Sequence, residues 1–165
     1  MTLAKTPTLT FQNKEGHRFK ITWEVITILM QYRQDNTNRL EAGGILLGRY
    51  LRGSNNVIVD RTTVPMMGDQ RSRHRFYRES STHQKLLDKA WKESTGTCNY
   101  LGEWHTHPEA DPFPSMMDIF NWRKRFLIDH IDSDRLYFVI VGTEHIKVWQ
   151  VYRKWLRIEQ LCLCS

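Results

Sequence analysis

The segment GEWHTHPEADPFPSMMD, residues 102–118, holds two histidines one residue apart, followed beyond a proline-rich loop by Ser115 and Asp118. In an extended strand, side chains two apart point to the same face, so His105 and His107 present both imidazoles to one side and Thr106 to the other. Zinc takes nitrogen and carboxylate ligands in a tetrahedron, and a catalytic zinc leaves one position to water. The histidines therefore need a third protein group, and Asp118 is the natural one. Pro108, Pro112 and Pro114 break the strand, and the helix they lead into is expected to carry Asp118 back beneath the imidazoles. The same S-x-x-D spacing fits a plain helix cap, with Ser115 as the cap residue and Asp118 facing the positive end of the helix dipole. One role does not exclude the other, because a helix start fixes both residues in space.

Hydrolysis at such a centre needs a base that takes a proton from water and hands it to the leaving amine. Two glutamates compete for that role. Glu103 shares the histidines' strand face by period-2 counting, whereas Glu41 stands at the mouth of EAGGILLGRY, where paired glycines let a backbone approach its neighbours closely. Counting alone does not choose between them.

The elements that must position these residues read as one domain over residues 1–165, with no repeat, low-complexity tract or Gly/Ser-rich linker. TLTFQ and HRFKIT flank the turn composition NKEG as an opening hairpin. TWEVITILMQYRQDN follows as a helix capped by Thr22, with Val25, Ile26, Leu29 and Met30 at helical spacing. GGILLGRYL and NNVIVDRTTVPM read as strands, and STHQKLLDKAWKEST as a helix with His83, Leu86, Leu87, Ala90 and Trp91 on one face. The strand YLGEWHTH, a third helix from Ser115 through about Phe126, and a hairpin of RLYFVIVG with HIKVWQVYR complete the pattern. Paired strands following one another among helices indicate an α+β fold, a mixed sheet flanked by helices, rather than a doubly wound parallel sheet.

Composition narrows the class. Hydrophobic content of 40% and charged content of 25% fit a soluble globular chain. The longest apolar run is YFVIV at 137–141, far short of the roughly 20 residues that span a bilayer. The N-terminal MTLAKTPTLTFQNKEG lacks the apolar core of a secretory signal, which makes a cytoplasmic location the expectation. Cys98, Cys162 and Cys164 are too few and odd in number for a disulfide framework, and the terminal C-x-C reads as reduced thiols in a frayed tail. The net charge of +6 is dispersed along the chain, which favours an acidic protein partner over nucleic acid.

Together, EAGGILLG upstream and HTHPEADPFPSMMD downstream resemble the JAMM motif of the JAB/MPN zinc metallopeptidases, a glutamate followed far downstream by H-x-H-x7-S-x-x-D. The resemblance implies a JAB/MPN, cytidine-deaminase-like layered fold and one zinc ion per chain with a bound water. It implies His105, His107 and Asp118 as metal ligands, Glu41 as general base, and Ser115 as hydrogen-bond donor to the polarised carbonyl oxygen. With every position filled, the family's ligand-deficient scaffold members are a poor match. The wording of both motifs looks most like the bacterial JAB-type deconjugating peptidases of type II CBASS antiphage operons. That implies an isopeptidase cutting after the C-terminal tail of a ubiquitin-like modifier or of a conjugated cGAS-like nucleotidyltransferase. A zinc-stabilised module that binds such a tail without turnover, and a peptidase that processes a ubiquitin-like or sulfur-carrier precursor, stand as alternatives.

A peptidase that cuts after a flexible tail must hold it extended, and an exposed strand edge does this economically. DQRSRHRFYRES is the candidate clamp. As an extended segment it would align Arg71, Arg73 and Arg75 on one face toward an acidic partner, with Phe76 or Tyr77 seating a side chain. The substrate-binding residues expected from it are Arg73, Arg75 and Phe76; a solvated basic loop is the competing reading.

Overall fold

The computed structural model describes residues 8–165; part of the N-terminal segment used for the localisation reading lies outside the described residues. The opening hairpin forms as expected, β1 (Leu9–Gln12) against β2 (Arg18–Ile21), followed by α1 (Trp23–Gln31), β3 (Gly43–Tyr50) and β4 (Val57–Thr62). A small hairpin of β5 (Gln70–Ser72) and β6 (Arg75–Tyr77) leads into α2 (Ser80–Glu93) and then β7 (Asn99–Thr106). After α3 (Met116–Ile128) come β8 (Arg135–Val141), β9 (Ile146–Tyr152), β10 (Ile158–Gln160) and β11 (Cys162–Leu163).

Nine strands form one mixed sheet in the order β10-β9-β8-β7-β3-β4-β2-β1-β11, with β2/β4 and β7/β8 parallel and the other pairs antiparallel. The fold is thus the expected α+β mixed sheet flanked by helices. Why β8 is a continuous apolar run follows from its place inside that sheet, since a strand covered on both faces has no polar side. Tyr137, Val139 and Val141 pack with Val25, Ile26 and Leu29 of α1, while Leu136, Phe138 and Ile140 pack with Trp122 and Phe126 of α3. Burying side chains of this size stabilises by about 1.5–3 kcal/mol each. Ile45, Leu47 and Cys98 receive Ala90 of α2.

Three readings change. Thr22 occupies the N-cap position of α1 without a capping hydrogen bond, and its buried hydroxyl has no partner. On α2 the buried residues are His83 and Ala90, whereas Leu86 and Trp91 are exposed, because the helix turns only a narrow stripe toward β3 and β7. The C-terminal segment is not frayed: β11 pairs with β1 through Phe11↔Leu163 and Gln12↔Cys162, and Cys164 N donates to Thr10 O. That pairing joins Phe11 to Leu163, near opposite ends of the sequence, so no local signal announces it.

Among the described residues no helix is long and apolar enough to cross a membrane.

Candidate metal centre

β7 and the residue just after it present the first two groups, His105 and His107. The pairing of β7 with β3 is interrupted by a bulge, Leu46 opposing Gly102 while Leu47 opposes Tyr100. Gly102 there has φ +145°, a conformation open to glycine. The bulge resets the alternation, so Leu101 and Trp104 both enter the α1-side core, and Tyr100, Glu103 and His105 all face the α3 side. Trp104 is therefore a core residue, its indole N–H donating to Thr63 O at 3.0 Å. Beyond the strand, His107 N donates to Val141 O, which keeps this histidine in line with His105.

The loop 108–114 is tied to the turn between β8 and β9, with Thr143 N donating to Glu109 O and His145 N to Ala110 O. It delivers Ser115 as the cap of α3, and the S-x-x-D spacing is a full capping box. Ser115 Oγ accepts from Asp118 N at 3.1 Å, and Ser115 N donates to Asp118 Oδ2 at 2.7 Å. The cap leaves the aspartate aimed at the strand: Asp118 Oδ1 lies 3.3 Å from His105 Nε2 and Oδ2 lies 3.2 Å from His107 Nε2.

The two Nε2 atoms are themselves 3.0 Å apart. With metal–ligand bonds of about 2.0–2.1 Å, the edge of a tetrahedral zinc site measures roughly 3.3–3.4 Å, so the two imidazoles and the Asp118 carboxylate, which meets each through a different oxygen, lie near the spacing of such a site. His107 Nδ1 lies 3.3 Å from Glu109 Oε2, a partner that favours the tautomer with Nε2 free to bind metal. Burial works against charge on Asp118, but its contacts with His105 and His107 outweigh that and hold its carboxyl well below the usual carboxylate range. On His107 burial is likewise outweighed, by Asp118 and Glu41, and its imidazolium is favoured.

Glu41 enters from just before β3. Its backbone N donates to Ser72 O and its carbonyl accepts from Arg71 Nε, so the β5–β6 hairpin holds it in place. Its carboxylate, His105 and His107 bring donor atoms within 4.8 Å of one another. Close packing here requires the paired glycines: a Cβ on Gly43 would meet the Phe76 ring at 2.5 Å, and one on Gly44 would meet Thr63 O at 2.3 Å. Burial pushes the Glu41 carboxyl up to about 7, against the opposing pull of the two histidines. A carboxyl in that range exchanges a proton readily near neutral pH.

Glu103 is occupied otherwise. Arg78 Nε contacts its Oε1 at 2.7 Å, Arg125 Nε at 3.1 Å and Tyr100 OH at 3.3 Å. Burial would raise this carboxyl, but the two guanidinium groups outweigh it and hold it below the usual range. Neither arginine was singled out in the sequence, since each arrives from a separate element.

The basic segment also takes a different form. Rather than one extended run, residues 73–74 make the turn between β5 and β6, so Arg71, Arg73 and Arg75 do not share a face. Arg71 is bound to Glu41 O, and Arg73 NH1 donates to Thr37 O at 2.7 Å, whereas Arg75 stacks over Tyr77. Phe76 lines a cavity of about 180 Å³ together with Glu41, Arg78, His105, Asp118 and Lys124.

Fold and centre together define a JAB/MPN-type domain: a mixed sheet whose H-x-H strand faces the capped aspartate of a following helix, with a buried glutamate alongside. The chain belongs to the family described as prokaryotic homologs of the JAB domain, whose pattern matches residues 25–155. It is 38% identical over 134 residues to the CD-NTase/cGAS isopeptidase of Vibrio cholerae serotype O1, covering 81% of this chain and 82% of that protein. A CD-NTase/cGAS isopeptidase of Escherichia coli is 32% identical over 138 residues, covering 84% and 85%. A solution structure of a Desulfitobacterium hafniense protein superposes with a TM-score of 0.58 at 20% identity, covering 85% of this chain and 87% of that one, a likeness of fold.

Proposed function

We propose that this chain is a zinc-dependent isopeptidase that hydrolyses the amide bond after the C-terminal tail of a conjugated cGAS-like nucleotidyltransferase, in antiphage defence. The observation that carries the reading is the convergence of His105 Nε2, His107 Nε2 and the Asp118 carboxylate at 3.0–3.3 Å, with buried Glu41 beside them. The names of the Vibrio and Escherichia relatives point to the substrate class.

His105, His107 and Asp118 would hold one zinc ion. A bound zinc supplies Lewis acidity toward the scissile carbonyl and an acidified water. Glu41 would hold a proton taken from water and pass it to the leaving amine, a transfer suited to a carboxyl that burial pushes up to about 7. Ser115 Oγ already accepts from Asp118 N, which leaves its hydroxyl hydrogen to donate to the carbonyl oxygen as negative charge grows there. The tail lies along the cavity between β6 and α3, where Phe76 seats a side chain, while Arg75, exposed on the hairpin outside that cavity, meets acidic groups of the partner. Arg78 and Ile128, which line that cavity, also line a neighbouring hollow with Ile45, Leu87, Tyr100 and Ile131.

The test is cleavage of a fusion between a nucleotidyltransferase C-terminal tail and a reporter protein, followed by intact mass. Wild type should cut directly after the tail's last residue, and Glu41→Gln and chelator-treated protein should not. A zinc-loaded wild type that binds the fusion without cutting it would replace the peptidase with a tail-binding module. Cleavage confined to a ubiquitin-like or sulfur-carrier precursor would replace the substrate.

A further inference from the structure

Glu103 has no part in the mechanism above, although it lies two residues from His105 on the same strand face. We propose that it is a positioning residue of the metal centre, pivot of a three-element brace that sets the gap between the histidine strand and the aspartate helix. The proposal rests on the metal-centre reading.

The geometry has two rungs. On β7, Glu103 and His105 point the same way about 6.7 Å apart along the strand. On α3, Asp118 and Arg125 are seven residues apart, which is close to two full turns, so they share a helix face about 10.5 Å apart along the axis. A helical side chain leans toward the N-terminus of its helix, and the long Arg125 side chain makes up the difference. One rung is then His105 Nε2 to Asp118 Oδ1 at 3.3 Å, and the other is Glu103 Oε1 to Arg125 Nε at 3.1 Å. The first rung consists of metal-binding groups. The second needs no metal, so it can hold strand and helix at the separation the first requires.

Arg78 adds the third element. It follows β6 directly, contacts Glu103 Oε1 at 2.7 Å and also reaches Asp129 at 3.8 Å, beside the Arg125–Asp129 pair at 3.7 Å. The same hairpin presses Phe76 onto Gly43 and binds the backbone of Glu41 through Arg71 and Ser72. One carboxylate thus connects the three elements that carry or hold Glu41, the histidines and Asp118. The pair is only slightly open to water, with Arg78 and Glu103 side chains 11% and 20% exposed, so its geometry is narrowly held. Trp122 and Phe126 hold α3 chiefly on β8 and β9, with Tyr100 near the start of the histidine strand packed against the same cluster, so the Glu103–Arg125 pair is the polar tie nearest the histidines.

The experiment compares wild type, Glu103→Gln, Arg125→Gln and Arg125→Lys, with zinc affinity measured by chelator competition and centre geometry by visible absorption of the cobalt(II)-loaded proteins. Glu103→Gln should weaken zinc binding roughly ten- to a hundredfold and shift the cobalt bands. Arg125→Gln should do so to a smaller degree, and Arg125→Lys should recover most of the affinity. Folding is checked by circular dichroism, and if Glu103→Gln does not fold the two Arg125 variants decide. A folded variant set with lowered melting temperatures but wild-type zinc affinity and an unchanged cobalt spectrum would overturn the brace and leave the proposed function intact. A wild type that takes up no zinc would overturn both.

Discussion

Gly102 and Tyr137 approach so closely across β7 and β8 that a Cβ on the glycine would lie 1.7 Å from the tyrosine carbonyl oxygen. This contact, together with the φ of +145°, makes the bulge specific to glycine. Gly102→Ala should cost about 3 kcal/mol or more, through strain and loss of parallel pairing. Thermal melts and zinc content would check it; a melting point within a degree or two of wild type would show that the bulge relaxes.

The proposed zinc site would also couple metal to stability. Zinc that binds only the folded chain should stabilise it by about 2.7 kcal/mol when free metal exceeds Kd a hundredfold. Chelation should therefore lower the melting temperature of wild type by several degrees, and Asp118→Ala should melt at the same temperature with and without chelator.

Glu79 supplies a pH signature away from the metal. Its carboxylate caps α2 by accepting from Thr82 N at 2.9 Å and from Ser81 Oγ at 2.6 Å, bonds that hold its pKa down at about 2. A carboxyl lowered on folding contributes stability that is full above its unfolded value and lost as pH falls. Metal-free Glu79→Ala should thus melt below wild type at pH 7, with the gap closing from pH 4.5 toward 2. A gap constant with pH would locate the effect in helix propensity instead of the cap.

Two arginines of the hairpin should separate by phenotype. Arg73 is fastened to Thr37 O, and its backbone O accepts from Gln34 Nε2, so Arg73→Glu should lower the melting temperature. Arg75 is exposed, and its charge also favours the ionised Glu41 carboxyl, so Arg75→Glu should raise KM several-fold at unchanged stability, with a smaller loss in kcat. Steady-state kinetics on the tail fusion would decide, and equal KM values would remove Arg75 from substrate binding.

What the sequence made legible was local. H-x-H fixes two imidazoles on one strand face, and S-x-x-D fixes an aspartate in the first turn of a helix, so neither depends on distant partners. The surroundings of Glu41 and Glu103 did depend on them. Arg78 and Arg125, which come from the end of β6 and the far part of α3, pair with Glu103, and Glu41 is proposed as the base on that contrast. His83 was read as one member of an apolar face, but it is wholly buried with Thr63 Oγ1 at 2.6 Å and Asp69 at 3.1 Å. Helical periodicity places a residue on a face and is blind to a carboxylate arriving from a loop. β11 was missed for the same reason, since two residues acquire strand character only from the partner strand they meet.

That last strand has a consequence for how the molecule meets other chains. β10 and β11 terminate opposite ends of the sheet order, yet Leu161 alone separates them in the chain. The sheet must therefore curl until its two borders meet at a seam, each border only three or two residues long. Borders that short offer few unpaired amides to template aggregation. The C-terminal residues act as a latch on the sheet, and the small β5–β6 hairpin, whose strands pair with each other and not with the large sheet, lies outside that closure beside the metal centre.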